Sequence, residues 1–402
     1  MNNSIWFIKR LVFFAVLILS AFAASCGGSS YSGGSTPPPP TTNNFNATLF
    51  GAQETLNIAT PAVGFGSVRL IEDSYNNTNT LSGSVTTMGI TGTNAHIDGP
   101  VIGGVNAPPV ITLTESPAGS GVWVVPDGTI PTPAQIVSLK AGEMYSNVHS
   151  TANSGGEIRG QIGRDVRNAV LAGPEEVPTN ASTATGKGVV IIDPATKSMS
   201  ASVTTTDMGI NGTVAHIHEA VVGVSGPPVI ELLQTSAGSG IWTATATLTD
   251  AQYTALKSGR YYFNVHSNAF QNGEIRGQIG PVFGKTSLTG AQEFPSNTST
   301  ATGTGIIVVN PVTLAVSAGL KTSRIVGGNV AHIHGPAAAG NNVPAIVPLT
   351  QSAADSGNWS AAAGALLSPA QFTSLLDGLL YFNSHSLPTY SGGEIRGQIS
   401  LK

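Results

Sequence analysis

The sequence predicts an all-β chain of three tandem antiparallel β-sandwich or barrel domains, each with one short helix. Three observations carry that reading. A pair of signatures recurs three times: Ala-His-Ile followed by Asp or His (Ala95–Asp98, Ala215–His218, Ala331–His334), then an Asn-x-His-Ser stretch leading to Gly-Glu-Ile-Arg-Gly-Gln-Ile. All eight histidines of the 402 residues fall inside these signatures. The segments around them alternate apolar and polar residues with period two, the mark of half-buried strands.

The bulk numbers agree. A chain of this length suggests two to four domains. Charged residues are only 9% of it while glycine reaches 49, a turn-rich β composition rather than that of a helical bundle. The net charge is -4, and without Lys9 and Arg10 there remain 15 basic against 21 acidic groups, or -6. No basic patch interleaved with aromatics is visible, which argues against a nucleic-acid partner. The one cysteine, Cys26, leaves no intrachain disulfide to form, so each domain must be held by packing and hydrogen bonds.

Residues 1–25 read as a lipoprotein signal peptide. Lys9 and Arg10 supply the positive region, and Leu11–Leu19 is an apolar run short for a membrane span. Small residues then precede Cys26, which resembles the acylated first residue of a mature bacterial lipoprotein. Residues 26–44, rich in Gly and Ser and with four consecutive prolines (Pro37–Pro40), read as an extended, flexible tether. These features predict an exported protein held by an N-terminal lipid at the cell envelope, on the periplasmic or surface face of the outer membrane.

Self-comparison sets the domains at 45–163, 167–281 and 282–402. Each opens on Gly-x-x-Glu (Gly51–Glu54, Gly173–Glu176, Gly290–Glu293), at separations of 122 and 117 residues. Each closes on the Glu-Ile-Arg-Gly-Gln-Ile signature, with Glu157, Glu274 and Glu394 spaced 117 and 120 apart. The short linkers predict domains set end to end like beads. Within a repeat, Gly188–Pro194 and Ser198–Thr204 read as a hairpin turning at Asp193–Thr196, and Gly305–Asn310 with Leu314–Leu320 repeats it. Trp123, Trp242 and Trp359 recur at one place and read as core aromatics. Thr132-Pro133-Ala134-Gln135, Thr249-Asp250-Ala251-Gln252 and Ser368-Pro369-Ala370-Gln371 are capping boxes. Gly142, Gly259 and Gly378 end those helices one to two turns later.

Residues two apart on a strand share a face. His216 and His218 therefore point together, as do Asn264 with His266, and Glu274 with Arg276 and Gln278. If these strands are neighbours, each domain gathers one polar cluster: His96, Asp98, His149, Glu157 and Arg159 in the first; His216, His218, His266, Glu274 and Arg276 in the second; His332, His334, His385, Glu394 and Arg396 in the third. Three chemistries suit such a cluster. One is a structural network built on Glu–Arg pairing. Another is a zinc or copper site using His216, His218 and His266, and His332, His334 and His385, with Asp98 in place of the second histidine in the first repeat. The third is an acid/base pair, but no repeated Ser, Cys or Lys nucleophile and no phosphate-cradling loop accompanies it, so no catalytic residue is expected.

Gly-x-x-Glu, Ala331-His332-Ile333-His334-Gly335-Pro336, the Asn-x-His-Ser strand and Gly-Gly-Glu-Ile-Arg-Gly-Gln-Ile together resemble the CHRD domain family, in three complete copies. That family takes its name from the animal developmental antagonist chordin, and the resemblance implies an extracellular, non-catalytic binding module without a cofactor. The expectation is a lipoprotein that displays three such domains to a protein or matrix ligand, with avidity from its three copies. Its rival is a zinc- or copper-binding or redox protein. His216-Ile217-His218-Glu219 looks like the copper-ligand strand of copper/zinc superoxide dismutase, an analogy only.

Overall fold

Hairpins close each repeat into a barrel. The computed structural model of the chain describes residues 37–56, 58–208, 212–325 and 327–402; the signal-peptide and Cys26 readings lie outside them, as does the tether up to residue 36. The first barrel comprises β1 (Thr41–Phe50), β2 (Val63–Asp73), β3 (Thr78–Met88), β4 (Gly92–Asp98), β5 (Pro109–Glu115), β6 (Val122–Val124), β7 (Tyr145–Ser150) and β8 (Ile158–Gln161). They close in the order β1-β2-β3-β6-β5-β4-β7-β8, all pairs antiparallel.

The second barrel repeats that order with β9 (Asp165–Ala172), β10 (Thr185–Ile192), β11 (Ser198–Thr206), β12 (Gly212–Glu219), β13 (Pro228–Gln234), β14 (Ile241–Thr247), β15 (Tyr261–Ser267) and β16 (Ile275–Gln278). The third uses β17 (Val282–Thr289), β18 (Thr302–Val309), β19 (Val316–Ser323), β20 (Gly328–His334), β21 (Ala345–Gln351), β22 (Asn358–Ala361), β23 (Tyr381–Ser386) and β24 (Tyr390–Gln398), with a short β25 (Ser400–Leu401) added along β17. Closed barrels, rather than open sandwiches, leave few sheet edges exposed.

The hairpins fall where the alternation put them. Asp193 makes its turn by accepting the N–H groups of Ala195 and Thr196, and Asn310 does the same for Val312 and Thr313. The helices α1 (Pro133–Ala141), α2 (Asp250–Lys257) and α3 (Pro369–Leu376) each carry both halves of the capping box. Gly142, Gly259 and Gly378 follow them in the left-handed conformation (φ 66° to 72°). Trp123, Trp242 and Trp359 are buried in the three barrel cores.

Each barrel closes at its signature. In the last strand the glycine after the arginine (Gly160, Gly277, Gly397) lies so close to the first strand that a Cβ would stand 2.3–2.6 Å from a backbone carbonyl oxygen. Any side chain there would push the closing strands apart.

Two expectations need correction. Thr41–Asn44 belong to the fold and not to the tether: they pair with Arg69–Glu72 because the hairpin of β2 and β3 is long, eleven residues a side, and offers them an edge. Nor are the barrels beads on a string, since residues 40–402 form one compact unit. The first and third barrels share an apolar cluster of Phe50, Val63, Met88, Phe283, Ile306 and Val308. The reason lies in β18, whose Ile306-Ile307-Val308-Val309 is apolar on both faces: Ile307 and Val309 fill their own barrel, while Ile306 and Val308 face the first. Polar ties reinforce the contact, from Ser317 Oγ to Thr60 O (2.7 Å) and from Asn358 Nδ2 to Ser120 O (2.8 Å).

At the junction of the second and third barrels Arg167 is fully buried. It grips Asp165 Oδ2 (2.9 and 3.1 Å), donates to Pro281 O and Lys402 O, and lies over the Phe283 ring. Phe283 thus serves both contacts. Phe283→Ala is expected to lower stability by about 3 kcal/mol and to resolve a separate transition for the third barrel, checked by calorimetry of the full chain.

Candidate functional site

The polar signatures converge because β12, β15 and β16 are neighbours, and register decides who meets whom. His216 stands opposite Asn264, His218 opposite Tyr262 and Val214 opposite His266, while Asn264 faces Arg276 and Tyr262 faces Gln278. The odd partners Ile217, Phe263, Val265 and Ile275 fill the barrel. His266 is therefore the diagonal neighbour of His216, within reach of a long side chain. The third barrel has the same register, with His332 on Asn383 and His334 on Tyr381. In the first, His96 lies on Asn147 and Asp98 on Tyr145.

The imidazoles gather on the outer face. Ring centroids of His216, His218 and His266 lie 5.5 to 6.1 Å apart, and those of His332, His334 and His385 lie 5.4 to 6.2 Å apart. In each trio the three available ring nitrogens come within 4.8 Å of one another. Among the described residues no carboxylate joins either trio.

The ring orientations are set by the backbone. His218 Nδ1 is 2.8 Å from Gly226 O, and His266 Nδ1 is 3.0 Å from Gln271 O. His334 Nδ1 meets Val343 O at 2.8 Å, and His385 Nδ1 meets Ser391 O at 3.1 Å. A carbonyl only accepts, so each Nδ1 carries the proton and each Nε2 keeps its lone pair. Those four Nε2 atoms, with Nδ1 of His216 and His332, are buried and have no hydrogen-bond partner among the described residues. Burial holds the pKa of His216, His218, His332 and His385 below the ordinary value, and that of His334 is pushed down to about 4. Each trio therefore turns three ring lone pairs toward a common point.

A roof covers this face. The segment between β12 and β13 is held by Arg276, which donates to Val224 O (2.9 Å) and Val221 O (3.3 Å), and by Gln278, which donates to Ala220 O and to Gly259 O at the end of α2. The Arg276 guanidinium lies 3.5 Å above the Tyr262 ring, against which His218 also stacks. Arg396, Gln398 and Tyr381 build the same roof in the third barrel, as do Arg159, Gln161 and Tyr145 in the first.

Not every expected member joins. The Glu–Arg pairing is not made: Glu274 Oε1 accepts from Ser182 Oγ (2.7 Å), and Glu394 from Ser299 and Ser386. Glu157 accepts from Thr60 and Ser150. These carboxylates lie outside the imidazole trios and tie the last strand to the opening loop, because the chain turns out of strand register at the preceding glycine (φ 125° to 133°). The carboxylate that the arginine does feel is that of Gly-x-x-Glu: Glu54, Glu176 and Glu293 are buried beside Asn147, Asn264 and Asn383. Recurrence marked these glutamates in the sequence, but only as the start of each repeat. Tyr145, Tyr262 and Tyr381 were legible too, two residues before the asparagine on the same strand face.

Residues 45–162, 167–279 and 285–399 each match the CHRD domain family. The chain belongs to that family, in three tandem copies, and CHRD domains are generally non-catalytic modules. No curated protein and no solved structure matches the chain.

Desolvation outweighs the arginine and raises Glu176 to about 7. Its carboxyl is then more basic in the folded chain than in the unfolded one, so its contribution is full below the unfolded pKa near 4.5 and is lost as pH climbs to about 7. Glu176→Gln is expected to flatten the stability profile between pH 4.5 and 7 and to stabilise the chain at pH 7.5 by on the order of 2 kcal/mol, checked by urea melts across that range.

Proposed function

We propose that the protein is a cell-envelope lipoprotein whose second and third CHRD domains bind a late first-row transition ion, copper or zinc, through His216, His218 and His266 and through His332, His334 and His385. One observation carries the reading: six buried imidazole nitrogens, three to a site, converge without hydrogen-bond partners among the described residues. An unpaired buried acceptor costs roughly 1–3 kcal/mol, and three together form a costly arrangement unless something ligates them. Imidazole suits copper and zinc, and a carbonyl holding the far nitrogen is the usual second layer around such an ion. Three protein ligands leave a position for water or an incoming group.

Holding an ion, rather than transforming a substrate, fits a non-catalytic module. Adhesive display to a protein or matrix ligand is supported by the triplication alone and has no comparable group of convergent side chains. Envelope anchoring rests on the leader and Cys26.

Elemental analysis of full chain purified without a histidine tag is expected to give about two copper or zinc ions from these trios. His218→Ala with His334→Ala should remove them, and an apo chain that takes up no ion would falsify the reading. Metal at a thousand times its Kd should stabilise the wild type by about 4 kcal/mol, a gain that the double variant loses. Anchoring has its own test. Cys26→Ser is expected to abolish incorporation of labelled fatty acid and to release the protein from the membrane fraction.

A further inference from the structure

A cavity of about 1110 Å³ opens where the three barrels meet, and most of its charged lining is basic. Lys140 comes to it from α1, Arg164 from the link into β9, Lys257 from the end of α2, and Lys285 and Lys402 from the third barrel. The acidic side chains of the wall are Asp165 and Asp193. Both are engaged: Asp193 holds Arg164 (2.8 Å), and Asp165 holds the buried Arg167 (2.9 Å), which also donates to Lys402 O. Lys140 is matched by Glu72 (2.8 Å). That leaves Lys257, Lys285 and Lys402 with no ion-pair partner among the described residues.

Aromatic rings hold two of these ammonium groups in place without neutralising them. Lys257 Nζ lies 4.7 Å from the Tyr253 ring centroid, and Lys285 Nζ lies 4.4 Å from that of Phe65. The charges also crowd one another. Burial and then Lys402 hold Lys285 below the ordinary lysine range, and burial, Arg167 and Lys402 do the same for Lys257. A cleft lined by one sign of charge, with walls of low dielectric, concentrates ions of the other sign. The free cations are all lysines, while the arginines at the cavity are occupied. A lysine binds phosphate as a point charge, and the planar fork that matches a carboxylate is not on offer here. The volume exceeds what one phosphate fills and stands at the upper end of small-molecule pockets.

We infer that this junction binds a small molecule carrying two or more phosphate groups, shared among Lys257, Lys285 and Lys402. Such a ligand would tie the second barrel to the third, since Lys257 belongs to one and the other two lysines to its neighbour. The inference is independent of the imidazole trios.

The test is calorimetric titration of the metal-free full chain at low salt with tripolyphosphate, fructose 1,6-bisphosphate, orthophosphate and citrate. One of the first two is expected to bind one to a chain, about tenfold or more tighter than orthophosphate or citrate. Tripolyphosphate as the tighter of the pair supports the proposal with an inorganic chain as the source, and the bisphosphate supports it with a phosphorylated organic molecule. Lys257→Gln and Lys402→Gln should each weaken that ligand by about tenfold, whereas Lys187→Gln, exposed on β10 outside the cavity, should leave it unchanged. No binding of either ligand, citrate binding as tightly, affinity unmoved by the cavity substitutions, or an equal loss in Lys187→Gln would overturn the assignment. Lys402 is exposed, so its variant keeps the fold and decides the matter even if Lys257→Gln does not fold.

Discussion

A buried guanidinium in the last strand of each barrel is the contact on which the rest depends. Arg276 stacks on Tyr262 and spends its donors on the carbonyls of the segment between β12 and β13. A charge removed from water needs that many partners. The segment can cover the face only because its carbonyls are bound from below. The same segment supplies Gly226 O, the atom that fixes the ring of His218. One arginine thus connects barrel closure, roof and imidazole orientation, and the glycine that follows it lets the first strand approach.

What the roof makes is an unusual electrostatic setting. Imidazoles in water hover near half-protonation at mildly acid pH. Here burial holds His216, His218, His332, His334 and His385 below that range, while backbone carbonyls take the proton-bearing nitrogens of His218, His266, His334 and His385 and turn their lone pairs inward. The nearby cation reinforces neutrality, since Arg276 and Arg396 lower the imidazoles they approach. The buried glutamates of Gly-x-x-Glu lie beside the asparagines of the same strand face, and burial raises them to about 7. The set of imidazole donors is fixed by the fold itself.

Threefold repetition did not produce three equal domains. The first barrel has a longer hairpin and an aspartate where the other two have the second histidine of the His-x-His pair, and its roof segment packs on the second barrel near Val166, Val189 and Ile191. The third uses a strand apolar on both faces to grip the first, and Arg167 has no counterpart in the other copies. Copies freed from identical duty have been fitted to one another, so that the chain is held together between its ends as well as along its linkers.

Much of this was legible by eye in the residues alone. Alternation showed which histidines share a face, capping boxes placed the helices, and recurrence singled out the histidines, because these are local properties of the chain; the alternation failed only at the glutamate beside a glycine of positive φ. Three matters required coordinates. Strand order placed β12 beside β15, and a diagonal in their register brought His266 to His216; no local pattern encodes which strands become neighbours. The partners of each arginine are the carbonyls of the covering segment and not the glutamate of its own strand, because one turn at a glycine of positive φ carried that glutamate away. The contact between first and third barrels came from residues more than 200 positions apart. Short-range stereochemistry writes itself into sequence, whereas pairing across such distances is settled only when the whole chain has packed.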